Sequence, residues 1–192
     1  MAGRIDKASI REKAMNSPKI LRAAQAESRA KFNNAKAGIL REFLNDVVTR
    51  EIRGGITMSN SSGTLGGYGN LFSYIGFYEG LDPVAPIEEY LRNFPFSAKV
   101  SNNGGQMSIR IKWPTMKTIR ALSSMPWEEG NSWVDGIERG ISGFSNYMYD
   151  LTAGKGRSTA AIQKGSKTGI VSTFSTRRYL PTMLAQAKKK FK

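Results

Sequence analysis

Hydrophobic spacing along this chain shifts between helical and alternating periods, and each shift marks an expected element. Ser17-Pro18 opens the first: serine at the N-cap offers an oxygen to a free amide, and proline at the first helical position has no amide to satisfy. The helix that follows has two unlike halves. Ala23, Ala24, Ala26 and Ala30 dominate the first, whereas Ile39, Leu40, Phe43, Leu44 and Val47 recur in the second at the spacing of one helical face. Asn33-Asn34 and Gly38 are poor helix formers and predict a kink or a break between the halves. An alanine-rich half buries little area per residue, so it is expected to need a partner surface from the same body or a neighbour. Residues 47–52 continue the helical pattern until Gly54-Gly55 stops it.

Residues 59–80 begin as a Gly/Ser segment, with glycines at 63, 66, 67 and 69, and end as an aromatic strand candidate over 71–77. A turn at Asp82-Pro83 to Pro86 precedes a short helix carrying Ile87, Tyr90 and Leu91, with Glu88 and Glu89 near its positive end. Residues 96–100 and 107–113 then flank Asn102-Asn103-Gly104-Gly105, and Met107, Ile109, Ile111 and Trp113 alternate with Ser108, Arg110 and Lys112. That pattern predicts a β-hairpin with one buried face. Pro114 ends it, and Thr115 caps a short helix through Leu122. Ser132 reads as the N-cap of a second substantial helix with the apolar stripe Trp133, Ile137, Ile141, Phe144 and Met148, beside a stripe of Gly136, Gly140 and Gly143 suited to close backbone approach. A strand over 170–174 and a short helix ending Lys188-Lys189-Lys190-Phe191-Lys192 complete the pattern. The expected fold class is α+β: a long N-terminal helix, a small antiparallel sheet with a β-hairpin, packed helices, and an extended basic C-terminal segment with a short helix.

Charge divides the chain into three. Residues 1–53 carry 12 Lys/Arg against 6 Asp/Glu, residues 54–150 carry 7 against 9, and residues 151–192 carry 10 against none. The expected organisation is a basic N-terminal helical segment (1–53), an α+β body (54–150) holding most of the aromatics, and a basic C-terminal extension (151–192). A balance of +14 implies a polyanionic neighbour, nucleic acid before acidic protein or anionic lipid. Lys155, Arg157, Lys164, Lys167, Arg177, Arg178, Lys188, Lys189 and Lys190 are the candidates for contact with DNA or an acidic partner. Such contacts would go to the nucleic-acid backbone, because aromatics are not interleaved as in a stacking platform and no zinc finger or RNA-recognition motif is present. The N-terminus lacks the apolar core of a secretory signal, and no run reaches the length needed to span a bilayer, so no membrane contact is expected.

The chain has no histidine and no cysteine, which removes the Ser-His-Asp triad, thiolate nucleophiles and conventional zinc sites. Glu128, Glu129, Asp135 and Glu138 are the candidate carboxylate cluster for a hydrolase or a magnesium nuclease, although acids near a helix start are favoured on helix-dipole grounds alone. Gly154-Lys155-Gly156-Arg157-Ser158 lacks the spacing of a phosphate-binding loop and follows no hydrophobic strand. The glycines from 63 to 69 precede an expected strand, the reverse of the dinucleotide-binding order. No enzyme activity and no cofactor are expected.

Two motifs carry a resemblance. The run SNxSGTLGGxGNLFSxIGF over 59–77, followed by Pro83 and Pro86, and MPWxxGxSWxxGIERGISG over 125–143 resemble tailed-bacteriophage neck proteins: tail-completion, tail-terminator or head-tail joining (connector) proteins. The resemblance implies a small α+β structural protein of the virion that forms a homo-oligomeric ring, commonly a hexamer, and is assembled in the host cytoplasm. It implies other neck and tail proteins as partners, non-specific contact with double-stranded DNA, and no cofactor. Gly63, Leu65, Gly66, Gly67, Gly69, Asn70 and Phe72 are the expected subunit-interface residues. A non-specific nucleic-acid-binding protein using basic termini is the first alternative, and a carboxylate-dependent hydrolase the second.

Overall fold

A computed structural model of the chain describes residues 17–65, 69–103, 106–126, 128–140, 147–149, 161–163 and 174–191. The fold is α+β, with seven α-helices and three two-stranded antiparallel pairs among the described residues. Helix α1, Pro18–Asn45, is an unbroken helix of 28 residues that contains Asn33, Asn34 and Gly38. The expected interruption there does not occur. Glycine costs roughly 1 kcal/mol of helix propensity, which is small beside the burial of Phe32, Ile39 and Phe43 on either side of it. Ser17 precedes the helix as expected, with proline in the first turn, but its side chain makes no capping bond.

The break comes at Asp46, whose ψ of 139° leaves the helical region and whose carboxylate accepts a hydrogen bond from Val48 N at 2.8 Å. This N-cap starts α2, Val47–Arg53. At Gly54 a Cβ would meet Met58 Cγ at 1.9 Å, so glycine lets the chain return closely through the 3-10 turn Gly55–Thr57.

The aromatic strand expected over 71–77 is instead helix α3, Leu71–Ile75. Asn70 Oδ1 accepts from Ser73 N at 2.9 Å to start it, and Gly76, at φ 82°, ends it in the left-handed region. Capping chemistry thus overrides the β-preference of the aromatics. Leu71, Phe72 and Ile75 are buried, and Phe77 is 5% exposed just beyond the helix.

Helix α4, Ala85–Asn93, buries Ile87 and Leu91 as expected. The hairpin strands are β1, Ala98–Asn103, and β2, Gln106–Ile111, in register from Ala98 opposite Ile111 to Asn103 opposite Gln106. Asn102 and Asn103 are therefore strand residues, and residues 104–105 lie outside the described set. Ile109, Ile111 and Trp113 are half-buried, so the expected buried face is only partly covered. Helix α5, Met116–Leu122, is capped by Thr115 as its sequence predicts. Strands β3, Ser124–Met125, and β4, Glu128–Ser132, pair and lead into α6, Trp133–Arg139.

Helix α6 is shorter than its apolar stripe predicts. Ile137 O, which residue 141 would use in a longer helix, accepts from Arg177 N at 2.9 Å, and Gly140 takes φ 81° and ψ 151°. Met148 consequently belongs to β5, Tyr147–Tyr149, which pairs with β6, Ala161–Gln163. Ile141, Gly143 and Phe144 lie outside the described residues, as do residues 170–173 of the expected last strand; Phe174 forms a single antiparallel bridge with Leu65.

Helix α7, Leu180–Phe191, packs along α1 and against α6. Tyr179, Leu180, Met183 and Leu184 join Ile39, Phe43, Ile52, Leu71, Ile87, Ile119 and Trp133 in one hydrophobic cluster. The short C-terminal helix is thus built into the core formed by the rest of the chain.

Candidate functional site

Three arrangements concentrate the polar chemistry of the described residues. The first is a clamp on the glycine-rich loop. Glu51 sits one residue before Ile52 in α2 and is fully buried. One carboxylate oxygen accepts from Ser62 N at 2.7 Å and the other from Leu71 N at 2.8 Å, so a single side chain ties together the two ends of the loop between them. Asn70 Nδ2 donates to Ile56 O and Met58 O at 2.9 and 2.8 Å. Ser175 N donates to Thr64 O at 2.8 Å, and Arg177 Nη1 donates to Ser62 O at 2.9 Å.

The expected interface set is split by this geometry. Gly63 and Gly69 are exposed at φ 67° and 73°, and Leu65 is half-buried beside Phe174. Asn70 and Phe72 are 4% and 1% exposed, which corrects their assignment: Asn70 holds the loop from inside and Phe72 packs in the core beside Phe77, so neither side chain is presented to another subunit. Gly66 and Gly67 lie outside the described residues.

The second arrangement locks α7. Glu138 Oε1 accepts from Tyr179 N and Thr182 N at 2.7 and 2.9 Å, satisfying free amides at the start of that helix. Tyr179 OH and Thr49 Oγ1 lie 2.7 Å apart inside the core. Burial pushes the Tyr179 phenol far above its ordinary value, so it stays neutral in the fold. Asp135 accepts from Arg120 Nε and lies 3.9 Å from Arg139 Nη1. Asp135 and Glu138 of the candidate carboxylate cluster are therefore engaged in separate bonds within the fold, and the side chains of Glu128 and Glu129 lie outside the described residues. Among the described residues no group of three or more acidic or other metal-ligating side chains could hold a metal ion.

The third arrangement is an aromatic cluster with basic margins. Phe32 lies 5.5 Å from Phe96 and 5.6 Å from Trp113 between ring centres, and Trp113 lies 5.4 Å from Phe191 at the end of α7. Lys36 Nζ donates to Arg92 O and Phe94 O at 2.9 and 3.0 Å, closing the C-terminal end of α4 onto α1. Lys188 and Lys189 occupy the last turn of α7, whereas Arg177 and Arg178 precede its first turn, about 18 Å away along a twelve-residue helix. The expected basic set is thus divided between opposite ends of α7, and Arg177 is engaged with Ser62. The Lys190 side chain lies outside the described residues, as do Lys155, Arg157, Lys164 and Lys167.

Sequence reasoning missed Glu51, because a lone acid in a helix carries no mark of the two amides that will converge on it. No family model matches this chain, and neither a curated protein nor a solved structure matches it.

Proposed function

We propose that this chain is a structural subunit of a tailed-phage virion, one member of a ring at the neck, without catalytic role or cofactor. The observation that carries the reading is the free half of α1. Within residues 18–31 no residue is buried, and Ile20 is 40% exposed. Fourteen helical residues, about 21 Å long, thus run along the subunit with most of their side chains exposed. A helix of that length is marginal in water without a packing surface, and neighbouring subunits would supply one. The clamped ends of the glycine-rich loop, with exposed Gly63 and Gly69, offer a second surface. The two sequence motifs of the resemblance meet these features: the first supplies the loop and α3, and the second supplies β4 and α6, whose Glu138 anchors the C-terminal helix.

Light scattering and negative-stain microscopy of the full chain at high concentration test the reading. The expected result is a closed ring, with six subunits the leading expectation, that dissociates into folded monomers on Ile20→Glu with Ala23→Glu on the exposed face of the arm. A chain that stays monomeric at high concentration and is absent from assembled particles overturns it.

A further inference from the structure

A groove runs between the free half of α1 and the chain entering β1, lined by Arg22, Gln25, Arg29 and Asn33 from the helix and by Phe96 and Ser97 opposite. The four helical residues share one face, and each carries a hydrogen-bond donor. Ala26 and Ala30, also in the lining, keep the floor open, and among the described residues no Asp or Glu lines it. The Arg29 guanidinium carbon lies 5.4 Å from the centre of the Phe96 ring, an arrangement that favours the cation over the aromatic face and holds it at the groove. Arg22 has no ion-pair partner among the described residues. Glu27 of the same helix pairs with Lys31 at 2.7 Å and does not line the groove. The rings from Phe96 through Phe32 and Trp113 to Phe191 connect this groove to the turn of α7 that bears Lys188 and Lys189. The last turn of α7 and the Arg29 end of the groove therefore border one aromatic cluster.

We propose that this groove binds the phosphodiester backbone of a nucleic acid. Arginine, glutamine, asparagine and serine are among the side chains that contact phosphate and sugar oxygens in such complexes. Arg22 and Arg29 are about 10 Å apart along the helix, so the site needs an anion with charge repeated along its length. A phosphate chain carries charge at every unit, whereas an acidic peptide carries it only where its side chains fall. The proposal does not depend on ring formation.

Fluorescence anisotropy of the full chain with a labelled DNA duplex, at about 50 and about 200 mM salt, tests it. The expected result is binding that weakens steeply with salt. Arg22→Glu with Arg29→Glu lowers affinity at least about tenfold and makes the log-log salt slope shallower by about two, one for each phosphate no longer neutralised. Arg41→Glu with Lys117→Glu, an equal charge change on exposed positions elsewhere, leaves the salt slope within half a unit of the parent. Should the groove variant lose its circular dichroism spectrum, Arg22→Ala replaces it, since that exposed side chain makes no bond to the described residues of the fold. Equal loss from groove and control variants, or displacement of the duplex by polyglutamate at equal charge concentration, overturns the proposal.

Discussion

The two halves of α1 share one unbroken backbone and are held by different physics. From Phe32 to Asn45 the helix buries Phe32, Ile39 and Phe43 against α4, α7 and the aromatic cluster. From Pro18 to Lys31 it buries nothing fully and relies on alanine, glutamine and arginine, which are good helix formers. The bound half therefore acts as the nucleus, and the arm continues it one residue at a time at low cost. Secondary structure alone says nothing about which half a domain can spare, whereas burial says it directly.

The sharpest way to break this contrast is in the bound half. Phe43→Ala removes a ring that is fully buried beside Tyr179, at 5.9 Å between centres, and is expected to cost about 3–5 kcal/mol in chemical denaturation. If an arm substitution such as Ala26→Gly cost as much, the division of the helix would be wrong.

Next in size is Glu51→Ala, which leaves Ser62 N and Leu71 N buried without their acceptor. The expected cost is roughly 3 kcal/mol, with faster amide exchange concentrated in residues 59–71 while α1 keeps its protection. Uniform exchange across the body would mean that Glu51 supports the whole core and does not act as a loop clamp.

Tyr179→Phe separates the α7 lock from the packing around it. It deletes the hydroxyl bonded to Thr49 and should cost about 1 kcal/mol at neutral pH. The sign reverses in alkali. The folded phenol is held above its ordinary value of 10.0, so the wild-type fold is fully supported below that pH and loses stability as the unfolded chain begins to ionise above it. Tyr179→Phe lacks this loss, and its denaturation midpoint should approach or pass the wild type between about pH 10 and 11.5.

Ala26→Gly sharpens the arm side. It is expected to lower local helicity by about 1 kcal/mol, read as faster amide exchange over residues 18–31, with no change in the midpoint of global unfolding.

The smallest effect lies at the surface of the body. Glu88 accepts from Arg53 and Arg92, and these partners hold its carboxyl below the usual range. Its contribution is present above about pH 4.5 and is lost as pH falls through the lowered folded value. Glu88→Gln should therefore cost about 0.5 kcal/mol at pH 7 and progressively less as pH falls through that lowered value. Asp46 opposes this trend, since burial raises its carboxyl and favours the protonated fold in acid.

Local chemistry was legible where one or two neighbouring residues decide the outcome. The caps at Thr115 and Ser132, the hairpin pairing and α4 follow from short patterns whose partners lie within a few residues. The aromatic run after Asn70 misled because aromatics favour strands on average, while Asn70 and Gly76, both visible in the sequence, marked a helix one turn long. The end of α6 was not legible, because the amide that takes Ile137 O belongs to Arg177, forty residues later. The charge pattern identified the acid-free C-terminal segment, but Arg22, Arg29 and Phe96 share a groove only after folding.

By itself the sequence determined the α+β class, the long first helix, the hairpin and the absence of histidine and cysteine chemistry, since period, capping and composition are local or additive properties. Tertiary structure decided which half of that helix is free, which acid clamps the loop, and that the groove beside Arg29 and the last turn of α7 border one aromatic cluster. Those outcomes depend on contacts between distant residues, and such contacts exist only once the core has closed.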